Sequence, residues 1–447
     1  MSISRLMFEL YDAGIRRRPM LRYLREAERL QWSTAEQIRA LQLAKLKALL
    51  AHAARDVPYF REMLPSRGID PSRIDSIEAL RALPLMTKEL VRSGYERFVS
   101  PSRGVDNIRK STGGSTGDPF QFQYDRDGDF RRLAAMWRGY RWAGADIGCR
   151  SAFLWSWPYA GRRGWSLRRE QLYQRVLGRT YFNIFELSDA TLPDVARRIA
   201  RLRPEIIVCY VSGGVTLARW LIDNRCSIPP PRGVITGAEA LHEHDRQLMQ
   251  QAFGAPVFNT YGGREFMLIA AECERREGLH LTADHLIVET VNERGEPVVG
   301  EPGRVLITDL HNYGMPFIRY ANGDVATLDP NPCPCGRGLP LLRSIQGREA
   351  DVVGLPDGRR LTGLFFVHLF KDFEELRYFK VIQATLDTIH VLAVPKPGTA
   401  ERLARRIRDA LQPAMGPTVT VTVDIVAEIP LTHAGKRRIV ESRVPRT

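Results

Sequence analysis

At 447 residues, 44% of them hydrophobic and 26% charged, the chain calls for two or three soluble globular domains, and no apolar run is long enough to span a bilayer. Its 65 Lys and Arg against 51 Asp and Glu leave a net charge of +14, mostly as Arg, which suits a solvated basic surface or a polyanionic nucleotide, carbohydrate or lipid. No nucleic-acid reader motif accompanies that surplus, so nucleic acid is not an expected partner.

Met1 to Arg18 lacks an apolar signal core and a small-residue cleavage site, and the expected compartment is the cytoplasm. Arg22 to Ala53 has a helical pattern, with Leu41, Leu46, Leu49 and Leu50 on one stripe that ends near Val57-Pro58. Leu83-Pro84-Leu85 before Thr87-Lys88 reads as a loop into a short helix.

Ser111 to Phe120 is the most informative stretch. Gly113, Gly114 and Gly117 let the backbone approach a ligand, and consecutive N–H groups there can cradle a phosphate. Ser111, Thr112, Ser115 and Thr116 add uncharged donors. The stretch is not a Walker loop, because no Lys follows the last Gly. A distant cation must complete it, and Lys436 in Gly435-Lys436-Arg437 is the candidate.

Residues 125–145 read as a helix leaving this loop. Trp155, Trp157, Tyr159 and Trp165 follow among glycines, either as core around a bend or as the wall of an acyl pocket. An amphipathic helix at Asp194–Leu202 precedes a buried strand at Ile206–Tyr210, and Val211-Ser212-Gly213-Gly214 turns into the next helix. Val234–Glu239 and Val257–Tyr261 repeat the strand-then-turn figure. The alternation predicts an α/β layered domain whose ligands gather at the strand ends. Residues 286–310 read as a hairpin about Asn292-Glu293-Arg294-Gly295. After Gly347-Arg348, strands within Phe379–Val394 and Thr418–Ile429 flank a helix at Thr399–Leu411, with Leu403, Ile407 and Leu411 on one face. The predicted fold class is therefore α/β, a large layered domain over residues 1–347 and a small α+β domain over 348–447.

Six cysteines are too few to be a disulfide framework in a chain of this size. Cys273 and His280 precede Cys333-Pro334-Cys335-Gly336, and three thiolates with one imidazole make a closed tetrahedral shell of the structural zinc kind. Two free-thiol loops, or a redox pair in Cys333-Pro334-Cys335, fit the same spacing. Cys149, Cys209 and Cys226 read as small apolar packers, and His242 and His244 as surface residues.

The hydroxyl-rich glycine loop, Tyr261-Gly262-Gly263-Arg264-Glu265, Asn322-Gly323-Asp324, Gly347-Arg348 and Gly435-Lys436 occur in that order. The order resembles the adenylate-forming ligase superfamily, and in detail the phenylacetate–CoA ligase family with its capsule-biosynthesis homologues, over roughly residues 50–440. The resemblance implies that ATP and a carboxylic acid yield an acyl-adenylate and pyrophosphate, with coenzyme A or an amine then taking the acyl group. It also implies a mobile C-terminal domain and a homodimer.

By position, the resemblance implies that Ser111 to Gly117 hold the phosphates and that Glu265 holds magnesium. Tyr261, with Gly262, stacks on adenine against a wall of Gly237-Ala238-Glu239. Asp324 takes the ribose hydroxyls, Arg348 holds the nucleotide near the hinge, and Lys436 is the catalytic cation. Part of the family carries a Cys-His-Cys-Cys set like that of Cys273, His280, Cys333 and Cys335. Two departures stand out: Arg264 occupies a position where the family usually has a hydroxyl residue, and Ala350 one where an acidic hinge residue is expected. A reading of another class is a zinc-bearing interaction protein on an inactive ligase fold.

Overall fold

The computed structural model describes residues 19–102, 107–111, 120–155, 163–348, 352–357, 359–370, 373, 375–396, 399–430 and 438–444. The chain divides into two compact units, Met1–Asn322 with Thr327–Ser344, and Gly323–Ala326 with Ile345–Thr447. The division falls just before Arg348, and it assigns Asp324 to the second unit.

At the start of the described chain, one predicted helix is two: Met20–Leu30 and Ala35–Asp56. Thr34 stops the first by capping the second. Its hydroxyl accepts from the Gln37 backbone at 3.2 Å, and its own N–H donates to the Gln37 side chain at 3.0 Å, a reciprocal pair that satisfies two orphan donors. Gly338 packs on the break, where a Cβ would come within 1.9 Å of the Ser33 carbonyl oxygen.

The strands up to Arg348 follow in chain order. A separate hairpin pairs β1 (Ile108–Ser111) with β2 (Gln121–Tyr124). The main sheet takes β3 (Ser151–Trp155), β4 (Arg179–Asn183), β5 (Ile206–Tyr210), β6 (Gly233–Gly237), β7 (Val257–Tyr261), β8 (Ala270–Glu272), β9 (Leu279–Leu281), β10 (Leu286–Val291), β11 (Pro302–Asp309), β12 (Tyr320–Asp329) and β13 (Leu341–Arg348). Their order is β10-β11-β12-β13-β9-β8-β7-β6-β5-β3-β4. Strands β4, β3, β5, β6 and β7 are parallel, and β5 and β6 are buried along their whole length, as strands covered on both faces must be.

One face of the parallel part carries helices Leu192–Leu202, Val211–Asp223 and Glu243–Phe253, which seal Ile199, Leu217 and Met249 against the strands. Helix Arg126–Trp142 starts at Asp125, whose carboxylate accepts from the Gly128 N–H at 2.8 Å, and packs Ala134 and Trp137 against Met20 and Leu24. The Asn292–Gly295 turn forms as expected but leads only to a bridge between Val291 and Pro297. The full partner of β10 is β11, beginning at Pro302.

The second unit contains a small hairpin, β14 (Val352–Gly354) with β15 (Arg360–Thr362), and a four-stranded sheet. That sheet orders β18 (Thr420–Ile425), β17 (Thr388–Pro395), β16 (Leu376–Thr385) and β19 (Val440–Ser442). Helix Ala400–Met415 turns Leu403, Ile407 and Leu411 into its core, the face predicted from their spacing.

Candidate active site and metal centre

Strand β7 ends at Tyr261 and runs into a tight turn through Met267. A Cβ at Gly262 would sit 1.9 Å from the Met267 carbonyl oxygen, so glycine is required for the turn to close. The Met267 and Ile269 N–H groups then bond the carbonyls of Gly263 at 2.6 Å and Tyr261 at 2.8 Å. This closure turns Glu265 inward, where only 8% of it is exposed. Its carboxylate accepts from the Tyr320 hydroxyl at 3.2 Å, and the Lys88 ammonium lies 3.7 Å away. Lys88 opens helix Lys88–Ser93, capped by the Thr87 hydroxyl.

The roots of the glycine loop reach the same place. Thr112, Gly113, Gly114, Ser115, Thr116 and Gly117 lie outside the described residues, but Ser111 and Gln121 are paired across the β1–β2 hairpin. Phe120, where the chain returns, stacks on Tyr320 with ring centroids 5.9 Å apart. On the other root, Lys110 reaches Asp129 at 2.6 Å. The same carboxylate oxygen accepts from Arg132 at 2.8 and 2.6 Å, and Arg132 donates onward to the Arg264 carbonyl at 3.0 Å. One buried carboxylate thus ties the root of the loop to the turn that carries Glu265.

Tyr261 is buried, and its hydroxyl accepts from the Asn322 side chain at 2.7 Å. At the end of β6, a Cβ on Gly237 would come within 2.9 Å of the Thr260 hydroxyl and 3.5 Å of the Trp155 ring. Trp155 meets Tyr210 edge-on at 4.4 Å. Ala238 takes a left-handed φ of 68°, and Glu239 accepts from the Ser212 N–H at 2.7 Å. That bond sets a carboxylate on the N-terminus of helix Val211–Asp223, where free N–H groups and the helix dipole favour it. Burial pushes the Cys209 thiol up to about 12, in keeping with an apolar packer.

Trp165 neither packs in the core nor lines this wall; it stands in solvent. Trp157 and Tyr159 lie outside the described residues. Within the second unit, Asp324 and Arg348 form an ion pair at 3.4 Å. Lys436 lies outside the described residues.

Cys273, His280, Cys333 and Cys335 do converge, with ligand atoms all within 4.8 Å of one another. Cys273 follows β8 and His280 sits in β9, while the other two come from the loop between β12 and β13. The His280 Nδ1–H donates to the Leu339 carbonyl at 3.2 Å, leaving Nε2 to face the Cys335 sulfur at 3.3 Å. Burial pushes His280 down to about 4, so the imidazole is in its neutral, metal-binding form. Backbone N–H groups of Arg275 and Arg337 point at the Cys273 and Cys335 sulfurs at 3.4 and 3.5 Å. These donors suit thiolates, and the set fits a tetrahedral zinc ion.

Arg337 braces the knuckle by bonding Glu274 at 2.9 and 3.0 Å and Gln31 at 3.1 Å, and its guanidinium lies over Trp32 and Trp142. Gln31 also accepts from the Trp142 indole at 2.7 Å. Sequence reasoning missed Lys88, Lys110, Asp129, Arg132 and Tyr320 at the first site and Arg337 and Gln31 at the second. Each is an ordinary residue that joins the site through a partner elsewhere in the chain, as Asp129 does through Lys110 and Arg132 through the Arg264 carbonyl.

Residues 354–443 match the family model described as the CapK C-terminal domain. The chain is 27% identical to a phenylacetate–coenzyme A ligase of Thermus thermophilus, over 91% of this chain and 97% of that protein. It is 20% identical to the CapK protein of Staphylococcus aureus, over 93% of this chain and 91% of the other. Among solved structures it is similar to 2-hydroxyisobutyryl-CoA ligase in complex with an acyl-AMP, with a TM-score of 0.76, 18% identity and coverage of 93% and 92%.

Proposed function

From the premise that this chain belongs to the adenylate-forming ligases, in the group that includes phenylacetate–coenzyme A ligase and CapK, we propose that it activates a carboxylic acid with ATP and passes the acyl group to coenzyme A. The observation that carries the reading is the buried Glu265 carboxylate beside the Lys88 ammonium, next to both roots of the glycine loop.

In the first step the substrate carboxylate attacks the α-phosphorus, and pyrophosphate leaves. Negative charge grows on the phosphoryl oxygens, so fixed donors and cations stabilise the transition state more than the ground state. Ser111 to Gly117 supply N–H and hydroxyl donors. Glu265 and its turn would hold magnesium, whose charge neutralises the phosphates when bound. Lys436 is the ammonium that meets the developing charge, and Arg264 offers a further cation to the phosphates. Tyr261 with Gly262, and Gly237-Ala238-Glu239 opposite, bind the adenine, and Asp324 and Arg348 serve the ribose side.

In the second step the coenzyme A thiol attacks the acyl carbonyl and AMP leaves. Residues 1–347 are the ATP- and acyl-binding domain and 348–447 the mobile one in this reading. The Cys273, His280, Cys333 and Cys335 shell holds a structural zinc, since four protein ligands leave no position for a substrate. ATP and coenzyme A as substrates favour the cytoplasm. A homodimer is the expected assembly.

The test is substrate-dependent exchange of labelled pyrophosphate into ATP across a carboxylate library. Preformed adenylate is then offered coenzyme A and a panel of amines. Acyl-CoA formation is the expected result. Amide formation alone would move the assignment to an amide ligase, and no exchange with any acid would leave the inactive interaction protein.

A further inference from the structure

Helix Gly164–Val176 crosses between β3 and β4, at the edge of the main sheet. Its inner side is occupied: Gln174 is buried, and Tyr173 and Val176 pack beside Trp137. Its outer side carries Trp165, Arg168, Arg169, Leu172 and Arg175, the spacing of a single helix face. Trp165 is 77% and Leu172 60% exposed. Arg168, Arg169 and Arg175 are exposed and make no ion pair among the described residues. The face has no acidic residue.

Because β3 and β4 are parallel, the start of this helix and the residues after β4 lie at the same end of the sheet. Phe185, 47% exposed, follows β4 at that end. Large exposed apolar side chains on one face mark a contact surface rather than ordinary scatter.

We propose that this face docks the protein on an anionic lipid surface. Arginine forks match lipid phosphates bidentately, and tryptophan with leucine settles among headgroups and upper acyl chains. A bilayer offers both chemistries in one plane. A symmetric contact with a second copy would set the arginines against each other. An acidic polypeptide would satisfy the arginines but not Trp165 and Leu172. The proposal goes beyond the ligase reading and does not depend on it.

Flotation of the full chain with phosphatidylcholine vesicles, with and without phosphatidylglycerol, tests this in the absence of ATP. Binding is expected only to the anionic vesicles, weakening as salt rises, with a blue-shifted tryptophan emission that Trp165→Phe removes. Arg168→Gln with Arg169→Gln is expected to weaken partitioning about fivefold per arginine. Trp165→Ser with Leu172→Ser is expected to weaken it about tenfold or more. Thermal melting verifies that each variant is folded, and pyrophosphate exchange reports the ligase reading separately. Equal binding to neutral vesicles, no binding to anionic ones, or full binding by the folded variants would overturn the proposal. Capture by polyglutamate without capture by vesicles would overturn it in favour of an acidic protein partner.

Discussion

Lys436 and Asp129 stand for two kinds of residue, one conspicuous in sequence order and one silent. Lys436 is an unremarkable Lys in a basic tail until it is set against the glycine loop that lacks its own cation. If it meets the charge developing on the phosphate, Lys436→Ala lowers pyrophosphate exchange about 10²–10³-fold while the melting temperature stays put. An unchanged exchange rate would remove it from the mechanism. Asp129 carried no such signal, since an Asp near a helix N-terminus is common. Its weight comes from holding Lys110 and the buried Arg132 together. Asp129→Asn leaves Arg132 without its counter-charge, and a loss of about 3 kcal/mol in urea unfolding is expected. A loss below about 0.5 kcal/mol would mean that the Arg264 carbonyl alone satisfies Arg132.

At the scale of elements, the β8–β9 hairpin and the loop between β12 and β13 are joined by four candidate ligands, of which Cys273 and Cys333 meet from sixty residues apart. The spacing suggested zinc but fitted free thiols as well. Convergence of the four, with sulfur-directed N–H groups, favours the metal. Purified protein is expected to carry about one zinc per chain, and Cys335→Ala to carry almost none and to melt earlier, because binding energy is folding energy where a shell is closed. Metal-free wild-type protein with unchanged melting would sink the zinc assignment. Elements also show where periodicity misleads. The apolar pattern from Arg22 onward ran across two helices without a gap, and only the Thr34–Gln37 cap reveals the stop. A capping signal is one hydroxyl wide and easily lost under a long leucine stripe.

Across the whole molecule, a buried histidine cluster that no motif announces is expected to contribute to acid sensitivity. Burial pushes His285 below its ordinary range, and burial with the nearby Lys45 holds His311 well below it. Lys45 donates to His311 Nε2 at 3.0 Å, and the two rings stack at 5.2 Å. Each imidazole therefore takes up its proton at a lower pH in the folded chain than in the unfolded one, where the value is about 6.5. Their contribution to stability is therefore full above that pH and declines as pH falls toward the folded values. His311→Gln keeps an acceptor for Lys45, and its unfolding free energy is expected to fall less between pH 7 and 5 than that of the wild type. An identical slope would place the acid sensitivity elsewhere. By itself, the order of residues determined the α/β alternation and the C-terminal core helix with Leu403, Ile407 and Leu411, because strand and helix periodicity are local properties; the order of its glycine turns and polar motifs supplied candidate nucleotide and metal ligands through a family resemblance. Tertiary structure alone decided that Glu265 faces Lys88, that Asp129 joins the loop root to the turn, and that Trp165 is left outside. The first two are meetings of side chains from separate parts of the chain and the third is the lack of one, and all three follow from packing, which local sequence does not encode.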